Sequence, residues 1–307
     1  MPSSSPVFQC GGVYLRGGPT PGVRRNSGGN VQRRQFLIAA GFGVAGASIA
    51  RSQRMQAQDV RWAPDGAATI ARFGVLTPAF DPVPETEMWA MVPRGVSIHA
   101  SRIPRTAASG ASVVEPPHID DAVDRLVELA PSAILLGYTS SSYALGAEAD
   151  DRVRVRLEQR AKGIRVIFPC PAAATALRLL NVQRISVFHP PFWKEEANEQ
   201  GSVYWRAAGF DVLQCRRLQP DRSSFTEIPA AEVFEFVSAH TPPAAQAVFI
   251  GGNGMRAVGT IRALEARLRR PVLSANQVVL WEALRGIGRA ASVTNYGSIF
   301  AKDGAIR

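Results

Sequence analysis

VFIGGNGMRAVG, residues 248–259, is an apolar run that halts at two glycines and then passes into a segment of helical character. A run that is continuous rather than alternating is what a strand with both faces covered looks like. GGNGM is not a dinucleotide fingerprint: the third glycine is missing at the required spacing, and no suitable acidic residue ends a following strand. Nor is it a Walker loop, since no Lys-Ser/Thr follows. What it offers is backbone. Glycines ahead of a helix expose N–H groups to an anion, or supply the positive φ of a tight turn at Gly252 or Gly254.

The same pattern repeats outward from this stretch. Short apolar runs are expected as strands at 71–78, 95–101, 133–138, 164–169, 184–190, 210–215, 247–252 and 270–275. Between them, Ile119, Val123, Leu126 and Ala130 fall at helical spacing, as do Ala174, Leu177 and Leu180. Strand followed by helix, repeated, predicts an α/β fold with parallel sheets. The halves echo each other: FGVLTP then AILLGYTSSS in the first, ISVFHPP then AVFIGGNGM in the second. Two similar Rossmann-like parallel-sheet domains related by a pseudo-twofold are therefore expected, with an active-site cleft between them where the carboxyl ends of strands meet. The expected division is an N-terminal extension and signal over 1–58, a first domain over 59–168 completed by 277–307, and a second over 169–276.

The formal charge of +10 suggests nucleic acid until it is located. Residues 1–58 carry seven arginines and no Lys, Asp or Glu, so the remainder holds 28 basic against 25 acidic side chains, a net of +3. With no aromatic-basic interleaving, nucleic acid is not an expected partner. The front end reads QRRQFLIAAGFGVAGASIARSQRMQAQ over 32–58: paired arginines, then 14 residues from Leu37 to Ala50 that are apolar or small. That reads as a secretory signal of the twin-arginine kind, too short to span a membrane. It predicts engagement of the twin-arginine export machinery and a periplasmic mature protein beginning near Asp59. Of the three cysteines, Cys10 precedes the signal. Export would permit a Cys170–Cys215 disulfide, although apolar cysteines near strand ends are more often packing residues.

GYTSSSY, residues 137–143, places Thr139 and three serines at a strand end. With the glycine loop it could give hydrogen bonds to a small acid from two sides; the plainer alternative is a helix N-cap, which needs only one of them. No G-x-S-x-G occurs, which argues against a hydrolase nucleophile. His99, His118, His189 and His240 are scattered without ligand spacing, so no metal is expected.

Four stretches together resemble the aspartate/glutamate racemase superfamily, nearest its maleate isomerase and arylmalonate decarboxylase branch. They are TPAFDPVPETEMWAMVPRGVSIHASRIP (77–104), AILLGYTSSSY, PAAATALRLLNVQRISVFHPP (171–191) and GGNGMRAVGTIRALEARLRRPVLSANQVVLWEALR (251–285). The resemblance implies two α/β domains, a cofactor-free site between them and chemistry by two cysteines, one per domain. Those cysteines fall on Tyr138 and Gly252, and an asparagine that binds a substrate carboxylate falls on Asp81, while Glu85 and Glu87 match. Glycine cannot replace a thiol, and a phenol with a pKa of about 10 is a reluctant base. The expected catalytic candidates are therefore Tyr138, Asp81 and Cys170, the last if it reaches the cleft. Thr139, Ser140, Gly252, Asn253, Gly254 and Asn276 are the expected substrate-binding residues. The implied ligand is a small carboxylic acid or derivative. Asp81 disfavours a second carboxylate beside it, so an amine or neutral group fits better there. A binding protein that kept the cleft and lost the chemistry is the competing reading, and homo-oligomerisation is left open.

Overall fold

The computed structural model describes residue 66 and residues 68–104, 110–218 and 228–302; residues 1–58, where an export signal is expected, and Cys10 among them, lie outside these. Eight strands form two four-stranded sheets, all parallel. The first sheet contains β1 (Ala71–Pro78), β2 (Val96–Ile103), β3 (Ala133–Leu136) and β4 (Val166–Ile167), in the order β2-β1-β3-β4. The second contains β5 (Arg184–His189), β6 (Asp211–Arg217), β7 (Ala247–Ile250) and β8 (Val272–Ser274), in the order β6-β5-β7-β8. Renumbering the second half from one gives the same order, so the halves are topological copies related by a pseudo-twofold.

The central strands explain why their runs are apolar. Every residue of β3 and β7 is buried, and β1 is buried except at Arg72. With both faces covered, these strands need no polar side toward water, whereas the edge strand β6 carries Asp211, Gln214, Arg216 and Arg217 and is only partly buried. On the first sheet, α1 (Val83–Met91), α2 (His118–Val127), α3 (Ser140–Leu145) and α4 (Ala147–Arg160) follow the strands. Ile119, Ala122, Val123 and Leu126 form the buried stripe of α2, as their spacing predicts. After β4 the chain enters α5 (Pro169–Leu179), then the second half with α6 (Glu195–Ala207), α7 (Ala230–His240) and α8 (Ile261–Leu268).

The last helix, α9 (Ala275–Gly286), ties the halves together. Ser274 and Gln277 form a reciprocal capping box at its start, worth about 1 kcal/mol. All ten residues from Ala275 to Leu284 are buried, and the helix packs on α5, α1 and β3 as well as on β8, which feeds it. Small side chains make this possible: Ala172, Ala173, Ala174 and Ala176 of α5 are buried and allow close approach. One continuous apolar core consequently runs through both sheets, from Phe73 and Val75 to Val187 and Phe249. A second cluster, including Leu76, Leu126 and Leu157, fills the other face of the first sheet.

Candidate active site

In each sheet the strand order reverses between the first and third strands, and the carboxyl ends of that pair are where ligands of open α/β sheets bind. Here β1 and β3 supply one pair of loops, and β5 and β7 the other. The four loops enclose a cleft of about 480 Å³. Phe80 and Asp81 follow β1; Tyr138, Thr139 and Ser140 follow β3; Phe192, Trp193 and Lys194 follow β5; Gly252, Asn253 and Gly254 follow β7. Glu196 and Gln200 of α6 complete the rim.

Asp81 is 6% exposed. Its Oδ1 accepts a hydrogen bond from the Val83 amide at 3.0 Å, while Arg102 donates to the Asp81 backbone carbonyl at 3.1 Å and pairs with Glu85 rather than with the Asp81 carboxylate. Burial raises its pKa to about 6, against the opposing pull of the Val83 amide and the Arg102 charge. Its Oδ2 faces the second half, where a Cβ built on Gly254 would lie 2.9 Å away. A side chain at 254 would therefore collide with the carboxylate.

Gly252 has φ +87, and a Cβ there would overlap the Pro190 ring. Position 252 is shaped to glycine in both conformation and space. Tyr138 is half-buried and lines the cleft.

Thr139 starts α3 without a side-chain cap bond. Its hydroxyl instead crosses to the other half, donating to Asn253 Oδ1 at 2.5 Å and accepting the Gly252 amide at 3.2 Å. Of the three serines that follow, Ser140 alone lines the cleft; the helix turns Ser141 and Ser142 into the core, where Ser141 donates to the Tyr138 carbonyl at 3.2 Å. Asn276, at the start of α9, lies behind the lining and holds Asn253 in place: Asn253 Nδ2 donates to Asn276 Oδ1 at 2.7 Å. Asn276 Nδ2 in turn donates to Glu87 Oε2 at 2.7 Å. Burial raises Glu87 to about 7 despite hydrogen bonds from Asn276 and the Val258 and Ala257 amides.

Cys170 does not line the cleft. It stands in the first turn of α5, not at a strand end, because Pro169 begins a helix; it is fully buried, and burial holds its thiol well above the ordinary range. Cys215 is a second free thiol, pushed up to about 12 by burial. Thiolate chemistry at either is disfavoured by the same desolvation.

Sequence reasoning passed over the wall behind the cleft. His189 is fully buried, and burial lowers its pKa to about 4. Asn198 Nδ2 donates to Glu195 and to the Cys215 carbonyl, so Asn198 Oδ1 must accept from His189 Nδ1, at 2.9 Å. His189 Nε2 then accepts from the Tyr143 hydroxyl at 3.1 Å, which itself accepts from the Trp205 indole at 2.8 Å. This neutral imidazole stacks on Trp193 at 4.7 Å and braces it against the cleft. Only the FHPPFW run hinted at an aromatic wall. Among the described residues no three His, Cys, Asp or Glu side chains converge on a metal site, and no helix is long and apolar enough to cross a membrane.

Solved structures share this architecture. The maleate isomerase from Pseudomonas putida S16, with maleate, aligns at TM-score 0.68 and 20% identity over 76% of this chain and 98% of that one. A cysteine-to-serine mutant of the Nocardia farcinica maleate cis-trans isomerase, with a covalently bound succinylcysteine intermediate, aligns at TM-score 0.63 and 21% identity over 76% and 99%. An arylmalonate decarboxylase aligns at TM-score 0.62 and 22% identity over 75% and 99%. No curated protein sequence matches the chain. The family model for arylmalonate decarboxylase matches residues 90–300, which takes in β2 through α9 and both loops of the glycine-rich side of the cleft. The chain therefore belongs to the arylmalonate decarboxylase family.

Proposed function

We propose that the protein is a thiol-independent enzyme of this family that moves a proton at the carbon beside the carbonyl of a small carboxylic acid or derivative, with Asp81 as the proton carrier and no cofactor. The observation that carries this reading is the Asp81 carboxyl, the one titratable group on the cleft wall, among the described residues, with a pKa brought to about 6. A carboxyl poised there is mostly a base at neutral pH, and its conjugate acid is still strong enough to return the proton. In an isomerisation, Asp81 takes the proton, the electron pair passes into an enolate, and the proton returns to carbon. In the lyase alternative, CO₂ leaves, the same enolate forms and protonated Asp81 supplies its proton. The relatives that hold cysteine adducts or bind maleate support a small-acid ligand; Tyr138 and Gly252 at the thiol positions argue for a different proton carrier.

The aromatic walls Phe80, Tyr138, Phe192 and Trp193 favour substrates with a flat apolar group. The test is deuterium uptake at the α-carbon of arylacetic acids, their amides and arylmalonates in deuterated water. Uptake by the wild type that Asp81→Asn abolishes supports the enzyme. Binding without uptake by any of them favours a second reading, a small-molecule binding protein, which is supported by Thr139, Gly252 and Asn253 satisfying one another instead of presenting an open oxyanion site. We place the protein in the periplasm on the strength of Arg33 and Arg34 and the apolar stretch after them. Export of a reporter fused to residues 1–58, lost when both arginines become lysine, would bear this out; cytoplasmic retention of the intact fusion would refute it.

A further inference from the structure

The hydrogen bonds behind the cleft have a fixed direction. A backbone carbonyl only accepts and a backbone amide only donates. Asn276 Nδ2 sits 2.8 Å from the Asn253 carbonyl and 2.7 Å from Glu87 Oε2, so both its hydrogens are spent. Its Oδ1 must then accept from Asn253 Nδ2, which leaves Asn253 Oδ1 to accept from Thr139. Glu87 is anchored at the far end, its Oε1 accepting the Ala257 amide at 2.6 Å and the Val258 amide at 3.0 Å. Glu87 belongs to α1 of the first half, Asn276 to the start of α9, and Thr139 to the loop after β3. Three segments remote in sequence thus converge to decide where one hydroxyl proton points.

We infer that Asn276, held by the Asn253 carbonyl and by Glu87, is a positioning residue which, through the Asn253 side chain, turns the proton of Thr139 away from the cleft, so that the site selects a ligand bearing a hydrogen-bond donor, an amide or an ammonium, over a carboxylate of the same shape. This rests on the reading of the cleft as a small-molecule site given above. A hydroxyl has two lone pairs. Thr139 gives one to the Gly252 amide, which leaves the other as the acceptor it can offer to the cleft it lines. Asp81 Oδ2, on the same cleft wall, is a second acceptor. Two acceptors facing a ligand carboxylate leave lone pairs opposed and unpaired, which such sites reject strongly.

Alanine at 276 removes the acceptor that holds Asn253 Nδ2 and frees the Asn253 amide to turn over, which puts Asn253 Nδ2 against Thr139 and releases its proton into the cleft. The test uses phenylacetamide, 2-phenylethylammonium and phenylacetate as probes of one shape, measured by calorimetry on the full mature chain, with side-chain amide spectra of ¹⁵N-asparagine-labelled protein recorded in parallel. The wild type is expected to prefer the amide and the ammonium over phenylacetate by about tenfold or more. Asn276→Ala should move the Asn253 side-chain resonances and bring the ratio toward one. Thr139→Val, which removes the hydroxyl itself, should also flatten the ratio, and it decides the matter if Asn276→Ala does not fold. An unchanged ratio in a folded Asn276→Ala or Thr139→Val protein overturns the inference. If no probe binds the wild type at millimolar concentration, the small-molecule reading of the cleft fails, and the Asn253 resonances alone then decide whether Asn276 sets the direction.

Discussion

The loop after β3 and the loop after β7 occupy the same place in two copies of one topology, yet they do opposite things. The first puts a tyrosine, a threonine and a serine into the cleft; the second reduces to Gly252, Asn253 and Gly254. The carboxyls raised toward neutrality, Asp81 and Glu87 near the cleft and Asp150 in the core, come from the first half. The second half answers with a neutral His189 and with Trp193 stacked on it. The two halves share one topology, but the raised carboxyls stand in one half and the braced Trp193 in the other.

The comparison breaks most visibly if Asp81 is removed. Asp81→Asn should lower the rate of α-proton exchange by roughly 100-fold or more, read by mass spectrometry of the recovered ligand, while the melting temperature at neutral pH stays level or rises, since the buried carboxyl no longer ionises. A rate within a few-fold of wild type would move the proton carrier elsewhere.

Placing a cysteine at position 252 or at position 138 should then expose the asymmetry between the two loops. Gly252→Cys is expected to destabilise by about 2–4 kcal/mol, since it adds an L side chain at positive φ to an overlap with Pro190. Tyr138→Cys, at a half-buried side chain on the cleft wall, should cost about 1 kcal/mol or less beyond the lost aromatic burial. Denaturant midpoints of the two variants measure the difference; equal losses would remove the distinction.

A smaller effect concerns pH. Both carboxylate oxygens of buried Asp150, at the start of α4, lack a hydrogen-bond partner. Burial raises the group from 3.8 to about 7, with the neighbouring Ser142 hydroxyl pulling the other way. Glu87 is raised from 4.5 to about 7 and Asp81 from 3.8 to about 6. Groups with raised folded values favour the fold while protonated, so their contribution is complete below pH 3.8 and disappears as the pH climbs to 7. Stability should fall over that window. Asp150→Asn should flatten the curve and add about 1–3 kcal/mol at pH 8, measured by urea unfolding at pH 5 and pH 8. A wild type more stable at pH 8 would contradict it.

Much of this was legible in the sequence. All eight strands fall where apolar runs predict them, because a doubly covered strand has no polar face to interrupt the pattern. The loops of the cleft were legible for the same reason, as the ends of those runs. The exception is the fourth strand: IRVIFP suggests six residues and forms two, since Pro169 opens a helix instead of closing a strand, and this carries Cys170 away from the cleft. Side-chain direction was less accessible. TSSS looks like four hydroxyls at one site, but α3 starts at Ser140 and its 3.6-residue turn takes Ser141 and Ser142 into the core. The relay from Glu87 to Asn276 joins residues 189 apart, and only the return of α9 to the first half brings them together.

The central claim is that Asp81 is a proton carrier on the wall of a ligand cleft. It is tested most directly by following the Asp81 side-chain carboxyl by ¹³C NMR through a pH titration, with and without phenylacetamide. The expected midpoint is about 6, displaced when the amide is present. A midpoint near the ordinary aspartate value of about 4, unmoved by ligand, would contradict the account.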